Sequence, residues 1–235
     1  MPIAVTELTK GADTDGGSVF TTASITPAAN ALILIFVTND KAVSADAISS
    51  ITGNGLTWVS VRTAPFTADA QYRISLFRAL GASPSAGTVT INFPALQLSG
   101  TWKVLQVTGV DTTGSNGSNA VVQSATSGGT NQSGARTVTL NAFASTAHGV
   151  VAGFAGNTGV AWTEGTGYTR VGITSDDGFR ALDCEYSADS DTSVDMTPSV
   201  ATDWQAIAAE IAIPVATLPR PVNGNHFRGA RHLYP

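Results

Sequence analysis

The amino-acid sequence predicts an all-β protein, an antiparallel, jelly-roll-like β-sandwich built from two pseudo-repeated halves. Short runs of Val, Ile, Thr and aromatic residues recur along the 235 residues, separated by Gly, Asn, Ser and Asp turns. Helical periodicity is nearly absent. Only 12% of the residues are charged, against roughly 25% in an average soluble protein. Small residues, both polar and apolar, take their place, and this composition favours strands and tight turns.

The strands fall into two series, and their spacing is typical of a sandwich or jelly roll. In the first series we predict strands at residues 4–9, 19–25, 31–38, 57–63, 72–78, 88–93 and 101–107. In the second series we predict strands at residues 120–124, 136–140, 149–154, 168–173, 180–187, 193–196 and 204–213.

The two series resemble each other in order and approximate spacing. Tyr72-Arg-Ile-Ser-Leu-Phe-Arg in the first parallels Phe179-Arg-Ala-Leu-Asp-Cys-Glu in the second. A tryptophan opens the last strand of each series, Trp102 and then Trp204, and this equivalence predicts that both indoles pack in a core. We interpret the pattern as two halves that pack face to face, neither closing a core alone.

These observations define a domain organisation. We predict one sandwich at 1–213, with a first half at about 18–110, a loop-rich connection with one short strand at 111–135, a second half at about 136–213, and an extended C-terminal arm at 214–235.

Charge and cysteine content exclude several classes. A net charge of −5 argues against general nucleic-acid binding, which needs a basic surface. Cys184 is the only cysteine, so the sequence offers no internal disulfide. The N-terminus has no basic region before an apolar core, so we expect synthesis without a Sec-type signal peptide. The longest apolar run, at residues 31–37, is too short to span a bilayer.

Catalytic chemistry has little support, and we predict no enzyme activity, no catalytic residue and no cofactor. The three histidines are His148, at a strand start, and His226 and His232, in the arm. There is no Gly-x-Ser-x-Gly motif, and Cys184 alternates within a strand as a core residue would. A glycosidase is a distant alternative, because most acidic residues fall where turns are expected.

Two acidic clusters are weak calcium candidates, since calcium prefers several hard oxygens at short range. One contains Asp13 and Asp15, and the other contains Asp189 and Asp191. Neither has the full EF-hand signature, and solvated Asp/Gly turns are the preferred interpretation.

Aromatic residues suggest one possible glycan-binding position. Trp162 lies in the glycine-rich stretch Gly159-Val-Ala-Trp-Thr-Glu-Gly-Thr-Gly. An indole exposed there would offer a face on which a sugar could stack.

The C-terminal arm differs from the rest of the chain. It holds three arginines and no acid, whereas the remainder holds nine basic and 17 acidic residues. A basic, Pro-rich segment on an acidic body favours docking onto a neighbouring subunit. The predicted docking residues are Arg220, Phe227, Arg228, Arg231, Leu233 and Tyr234.

Several segments together resemble a known group of proteins. They are Ser50-Ile-Thr-Gly-Asn-Gly-Leu-Thr-Trp, Leu76-Phe-Arg-Ala, Gly87-Thr-Val-Thr-Ile and Val107-Thr-Gly-Val-Asp. Residues 18–213 resemble the jelly-roll (lectin-like, concanavalin-like) domains that are common in structural proteins of tailed bacteriophages and occur in some bacterial surface proteins. The resemblance implies a virion component, a capsid decoration or tail-associated protein that contacts other virion subunits, and it carries over no catalytic residue.

The expected function is therefore that of a non-enzymatic virion structural protein, assembled in the host cytoplasm, located in the virion and repeated as a homo-oligomer. The alternative is a lectin-like adhesion module that recognises host surface glycans. Neither hypothesis involves nucleic acid or membrane insertion.

Overall fold

The computed structural model describes residues 2–172, 175–176 and 180–214. Throughout this part the regular backbone consists of strands, and the predicted all-β sandwich class is confirmed. Among these residues there is no helix with the length and apolarity that crossing a bilayer requires.

The first half contains two antiparallel sheets. Inner sheet 1 has the strand order β1-β8-β3-β6-β5, and outer sheet 1 has the order β2-β7-β4. The strands are β1 (Ala4–Asp13), β2 (Gly17–Thr21), β3 (Leu32–Asp40), β4 (Ser50–Gly53), β5 (Val59–Pro65), β6 (Tyr72–Leu80), β7 (Val89–Gln97) and β8 (Ser99–Thr108).

The second half contains two further sheets. Inner sheet 2 has the order β13-β15-β11-β17-β9, with β14 also paired to β15, and outer sheet 2 has the order β10-β16-β12. The strands are β9 (Val121–Gln132), β10 (Arg136–Thr139), β11 (Gly149–Gly156), β12 (Trp162–Glu164), β13 (Thr169–Arg170), β14 (Ser175–Asp176), β15 (Ala181–Ser187), β16 (Ser193–Pro198) and β17 (Thr202–Ile211).

Both halves have the same topology once the short β14 is set aside. In each, the first strand pairs with the last, the second with the last but one, and the third with the last but two. This nested antiparallel pairing is how a long hairpin folds into a jelly roll. The repeat therefore also includes β1 and β9, the first strands of the two halves. The two halves predicted from the sequence, at about 18–110 and 136–213, did not include these strands.

The four sheets form four layers with three cores. Side chains from inner sheet 1 and outer sheet 1 form one core, including Phe20, Ile35 and Trp102. Inner sheet 2 and outer sheet 2 enclose another, including Phe154 and Trp204. A third core lies between the two inner sheets. The halves thus share a core, but each also closes a core of its own, which differs from the expectation that neither could.

The central strands of the inner sheets are covered on both faces. Every residue of β3 and of β11 is buried, because a strand inside a stack of sheets has no solvent side. The two strands contact each other through Phe36 and Gly153. A Cβ atom on Gly153 would lie within 2.9 Å of three atoms of the Phe36 ring, so only glycine leaves room for the ring there.

The predicted connection at 111–135 does contain one strand between loops, but that strand is longer than predicted. Residues 121–132 form β9, a 12-residue edge strand of inner sheet 2. Gly128 and Gly129 suggested a turn, but they lie in this strand, where a Cβ on Gly128 would collide with the side chains of Gln205 and Thr67. These glycines therefore permit close side-chain packing across the strand.

We predict that Gly153→Ala lowers the free energy of unfolding by about 1–3 kcal/mol, because overpacking forces the Phe36 ring to move. Urea denaturation of the variant and the wild type measures the change. Gly17→Ala is the matched control, since a Cβ there has ordinary contacts, the nearest at 3.6 Å. Equal stability of the two variants would contradict the close approach of the inner sheets.

Candidate functional site

Trp162, the possible glycan-binding residue, lies in the core of the second half. It is 1% exposed, and its ring centroid is 5.7 Å from that of Phe154. In β12 it pairs with Pro198 of β16, which directs the indole towards inner sheet 2. The expectation of an exposed Trp162 is wrong, and its ring offers no face to a sugar. Trp102 and Trp204 are also buried, as their equivalence predicted.

The calcium candidates are not brought into clusters of ligands. Within the described residues there is no group of three or more His, Cys, Asp or Glu side chains that could hold a metal ion. Asp13 Oδ1 accepts the N–H of Gly16 at 3.0 Å, and Asp191 Oδ1 accepts the N–H of Ser193 at 2.8 Å. Such side-chain-to-backbone bonds are typical of Asp in turns.

The predicted docking residues of the C-terminal arm lie outside the described part of the chain, which ends at Pro214. They are Arg220, Phe227, Arg228, Arg231, Leu233 and Tyr234. Their role stays a prediction.

Four charged side chains from both halves meet at one margin of the interface between the inner sheets. They are Glu7 of β1, Lys103 of β8, Arg170 of β13 and Asp183 of β15, and we call them the interface cluster. The side chains of Lys103 and Asp183 have no solvent exposure, and Lys103 Nζ lies 3.0 Å from Asp183 Oδ1. The side chains of Glu7 and Arg170 are partly exposed, so the cluster extends from the buried pair to the surface.

Each polar atom of the Lys103–Asp183 pair has further neighbours. Lys103 Nζ donates to the Val171 carbonyl at 2.7 Å and lies 3.5 Å from Glu7 Oε2. Asp183 Oδ2 accepts from Arg170 Nε at 2.6 Å, and Oδ1 accepts from the N–H of Cys184 at 2.9 Å. Burial of ionic groups is tolerated only with such complete pairing.

A second ion pair joins the halves at the end of β3. Arg180 Nη1 lies 2.6 Å from Asp40 Oδ2, and the Arg180 guanidinium also lies 5.9 Å from the centre of the Tyr72 ring. Asp40 Oδ1 accepts the N–H of Ser99 at 2.8 Å. Breaking a buried pair of this kind typically costs about 3–5 kcal/mol, because the remaining charge stays buried without a partner.

Cys184 packs in the shared core, as its alternation in a strand predicted. Burial raises the pKa of its thiol far above the usual range, so the reactive thiolate form is disfavoured.

Glu185 of β15 is a buried carboxyl group that forms no ion pair within the described part of the chain. Its Oε2 accepts the N–H of Gly165 at 3.0 Å, whereas its Oε1 has no hydrogen-bond partner within the described structure. Burial raises its pKa to about 8; the Gly165 N–H opposes this shift, and the nearby carboxylates of Asp195 and Asp183 add to it. At neutral pH Glu185 is therefore mostly a neutral carboxylic acid.

His148 and Glu210 form a buried pair at the opposite side of the second half. His148 Nδ1 lies 2.6 Å from Glu210 Oε1, and Gln123 Nε2 donates to Glu210 Oε2 at 2.6 Å. His148 immediately precedes β11, as predicted, and is only 8% exposed. A carboxylate can orient a catalytic histidine next to a serine nucleophile. The serine near His148 in the sequence is Ser145, and its Oγ accepts a hydrogen bond from the N–H of Ala147. The contacts join β9, β11 and β17.

The charged clusters could not be found from sequence. Lys103 and Asp183 are 80 positions apart, and no local pattern pairs a lysine in one half with an aspartate in the other. The internal repeat gives only a weak signal for this ion pair, because Lys103 and Asp183 lie on strands that are not equivalent in the two halves, β8 and β15.

Comparisons with protein-family models, with curated proteins and with solved structures gave no match. The function must therefore be argued from the geometry and the sequence.

We predict that Glu185→Gln removes part of the pH dependence of stability. The folded-state pKa of about 8 exceeds the ordinary value of 4.5, so the folded protein binds this proton more tightly than the unfolded chain does. The contribution is fully present below pH 4.5 and is lost as the pH rises through 8. Glutamine cannot ionise, so the variant should lose less stability over this range.

Urea unfolding across this pH range measures the effect. Asp15→Asn is the matched control, because Asp15 is exposed and lies in the other half of the chain, away from Glu185. The same pH dependence in Glu185→Gln and in the wild type would contradict the assignment.

Proposed function

We propose that this chain is a non-enzymatic structural protein of a bacteriophage particle, displayed as a capsid decoration or tail-associated subunit. Its C-terminal arm holds it to other virion subunits, and copies of it associate as homo-oligomers. The proposal builds on the resemblance of residues 18–213 to phage jelly-roll domains and on the physical properties of the described body.

The main support for the proposal comes from two buried ion pairs that join the halves. The Lys103–Asp183 and Arg180–Asp40 pairs each join a residue of one half to a residue of the other. Together with the shared apolar core they fix the two jelly rolls as one body. A rigid block of this kind suits a role in which shape and contacts, rather than turnover, are required.

The outer sheets support display at a crowded surface. On outer sheet 1, Thr21 and Thr52 both pair with Thr90, which gives a row of three hydroxyl-bearing side chains across the strands. On outer sheet 2, Thr163 pairs with Thr197, and both are exposed. Such faces are solvated without strong like-charge repulsion, so many copies can lie side by side.

The glycan-binding alternative is weaker, because its one candidate residue, Trp162, is buried. Glycan binding would instead depend on the Thr rows of the two outer sheets, and these rows contain no aromatic side chain on which a sugar could stack.

The proposal is tested by purifying particles from a host that encodes the chain. We expect the protein to co-purify at a fixed copy number per particle, measured by quantitative mass spectrometry, and to be located on the particle surface by immunogold electron microscopy. Recovery only in the particle-free fraction would exclude the proposed function.

We predict that deleting residues 215–235 leaves a folded body that no longer joins the particle. The described strands end at Ile211, and Ala212 still bonds to Ala120 and Asp111 through the backbone, so the body should unfold at an unchanged temperature. Incorporation is measured by quantifying the protein in purified particles.

Two controls sharpen this test. A full-length chain with a Gly/Ser sequence in place of residues 215–235 separates the effect of length from that of composition. A triple variant, Arg220→Ser with Arg228→Ser and Arg231→Ser, isolates charge. Normal incorporation of the truncated chain would exclude docking through the arm.

A further inference from the structure

The interface cluster contains the components of an intramolecular condensation. An amine, Lys103 Nζ, lies 3.0 Å from an oxygen of the Asp183 carboxyl group, and both side chains are fully buried. A second carboxyl group, that of Glu7, stands 3.5 Å from the same amine. Its Oε2 is buried and makes no hydrogen bond in the described structure. An ordinary ion pair does not require this third group.

We propose that Lys103 and Asp183 form an isopeptide bond that covalently links the two halves, with Glu7 as the proton carrier. The cross-link would not depend on the proposed function, since it follows from the geometry of the cluster. It would give a body without disulfides a covalent link between inner sheet 1 and inner sheet 2.

The step balances without any external reagent. Glu7 takes a proton from the Lys103 ammonium group, and the free amine attacks Cγ of Asp183 to form the C–N bond. Glu7 returns this proton to Oδ1, a second proton passes from nitrogen to the same oxygen, and the C–Oδ1 bond breaks. One water leaves, one hydrogen stays on the amide nitrogen, and Glu7 is regenerated.

The surrounding groups fit both the reaction and its product. Arg170 Nε, 2.6 Å from Oδ2, would stabilise the negative charge on that oxygen in the tetrahedral intermediate and then bond to the amide carbonyl. The Val171 carbonyl, 2.7 Å from Nζ, would accept the remaining amide hydrogen. The bond from the N–H of Cys184 to Oδ1 would be lost.

Burial supplies the driving force. Holding an amine against a carboxyl group replaces an encounter in solution by an intramolecular one, which raises the effective concentration by orders of magnitude. Condensation also converts a buried ion pair, which is costly to desolvate, into a neutral amide. The charges of Glu7 and Arg170 remain and balance each other.

The intact mass of the full chain under denaturing conditions tests the proposal. We expect a mass lower by one water than the sequence requires, and a branched peptide containing Lys103 and Asp183 after proteolysis. Lys103→Arg should restore the full mass. Glu7→Gln should keep the amine and its target together but accumulate the cross-link much more slowly.

A protease site inserted between Gly114 and Ser115, in the exposed connection, gives an independent readout. After cleavage and denaturation with reductant, the halves should run as one species in the wild type and as two in Lys103→Arg. A wild-type chain with the full mass and separable halves would overturn the proposal. So would a water loss that persists in Lys103→Arg, since it would arise from dehydration elsewhere in the chain.

Discussion

The apolar core shared by the two inner sheets is the constraint on which the rest of the structure depends. Between their central strands, the Phe36 ring occupies the space that a side chain on Gly153 would need. Both sheets contribute large apolar side chains to this core, such as Leu34 and Leu105 from inner sheet 1 and Leu182 and Ile207 from inner sheet 2. Close packing of these side chains fixes the distance between the sheets.

This central contact explains why charged groups can be buried at the margin. Once the apolar centre has fixed the distance between the sheets, β8 and β15 carry Lys103 and Asp183 to within hydrogen-bonding distance. The pairing offsets a desolvation cost that either charge alone would impose. The ionic contacts also depend on register, because a shift of one residue in either strand would turn one partner to the opposite face.

The sequence predicted what alternation and repetition can encode. Most of the strand series, the core positions of Trp102 and Trp204 and the inward-facing Cys184 follow local patterns that the structure confirms, whereas the short strands β4, β12 and β14 were not predicted. It failed where a residue's role depends on a distant neighbour. Gly128 resembles a turn residue, yet it is glycine because Gln205, far along the chain, lies across it. Trp162 lies in a glycine-rich stretch, yet its ring is enclosed by a facing sheet.

Function, like packing, depends on which residues the fold brings together and which it leaves at the surface. The inner sheets pack against each other, and the buried charged groups around Lys103 and Glu185 therefore bear on the stability of the body. In the proposed virion role, recognition would fall to the outer sheets, which carry the uncharged Thr rows, and to the basic arm beyond Pro214. The body could then be repeated in many copies, because the arm would hold each copy without any change in the body. Attachment and body would be separable parts of the proposed structural subunit.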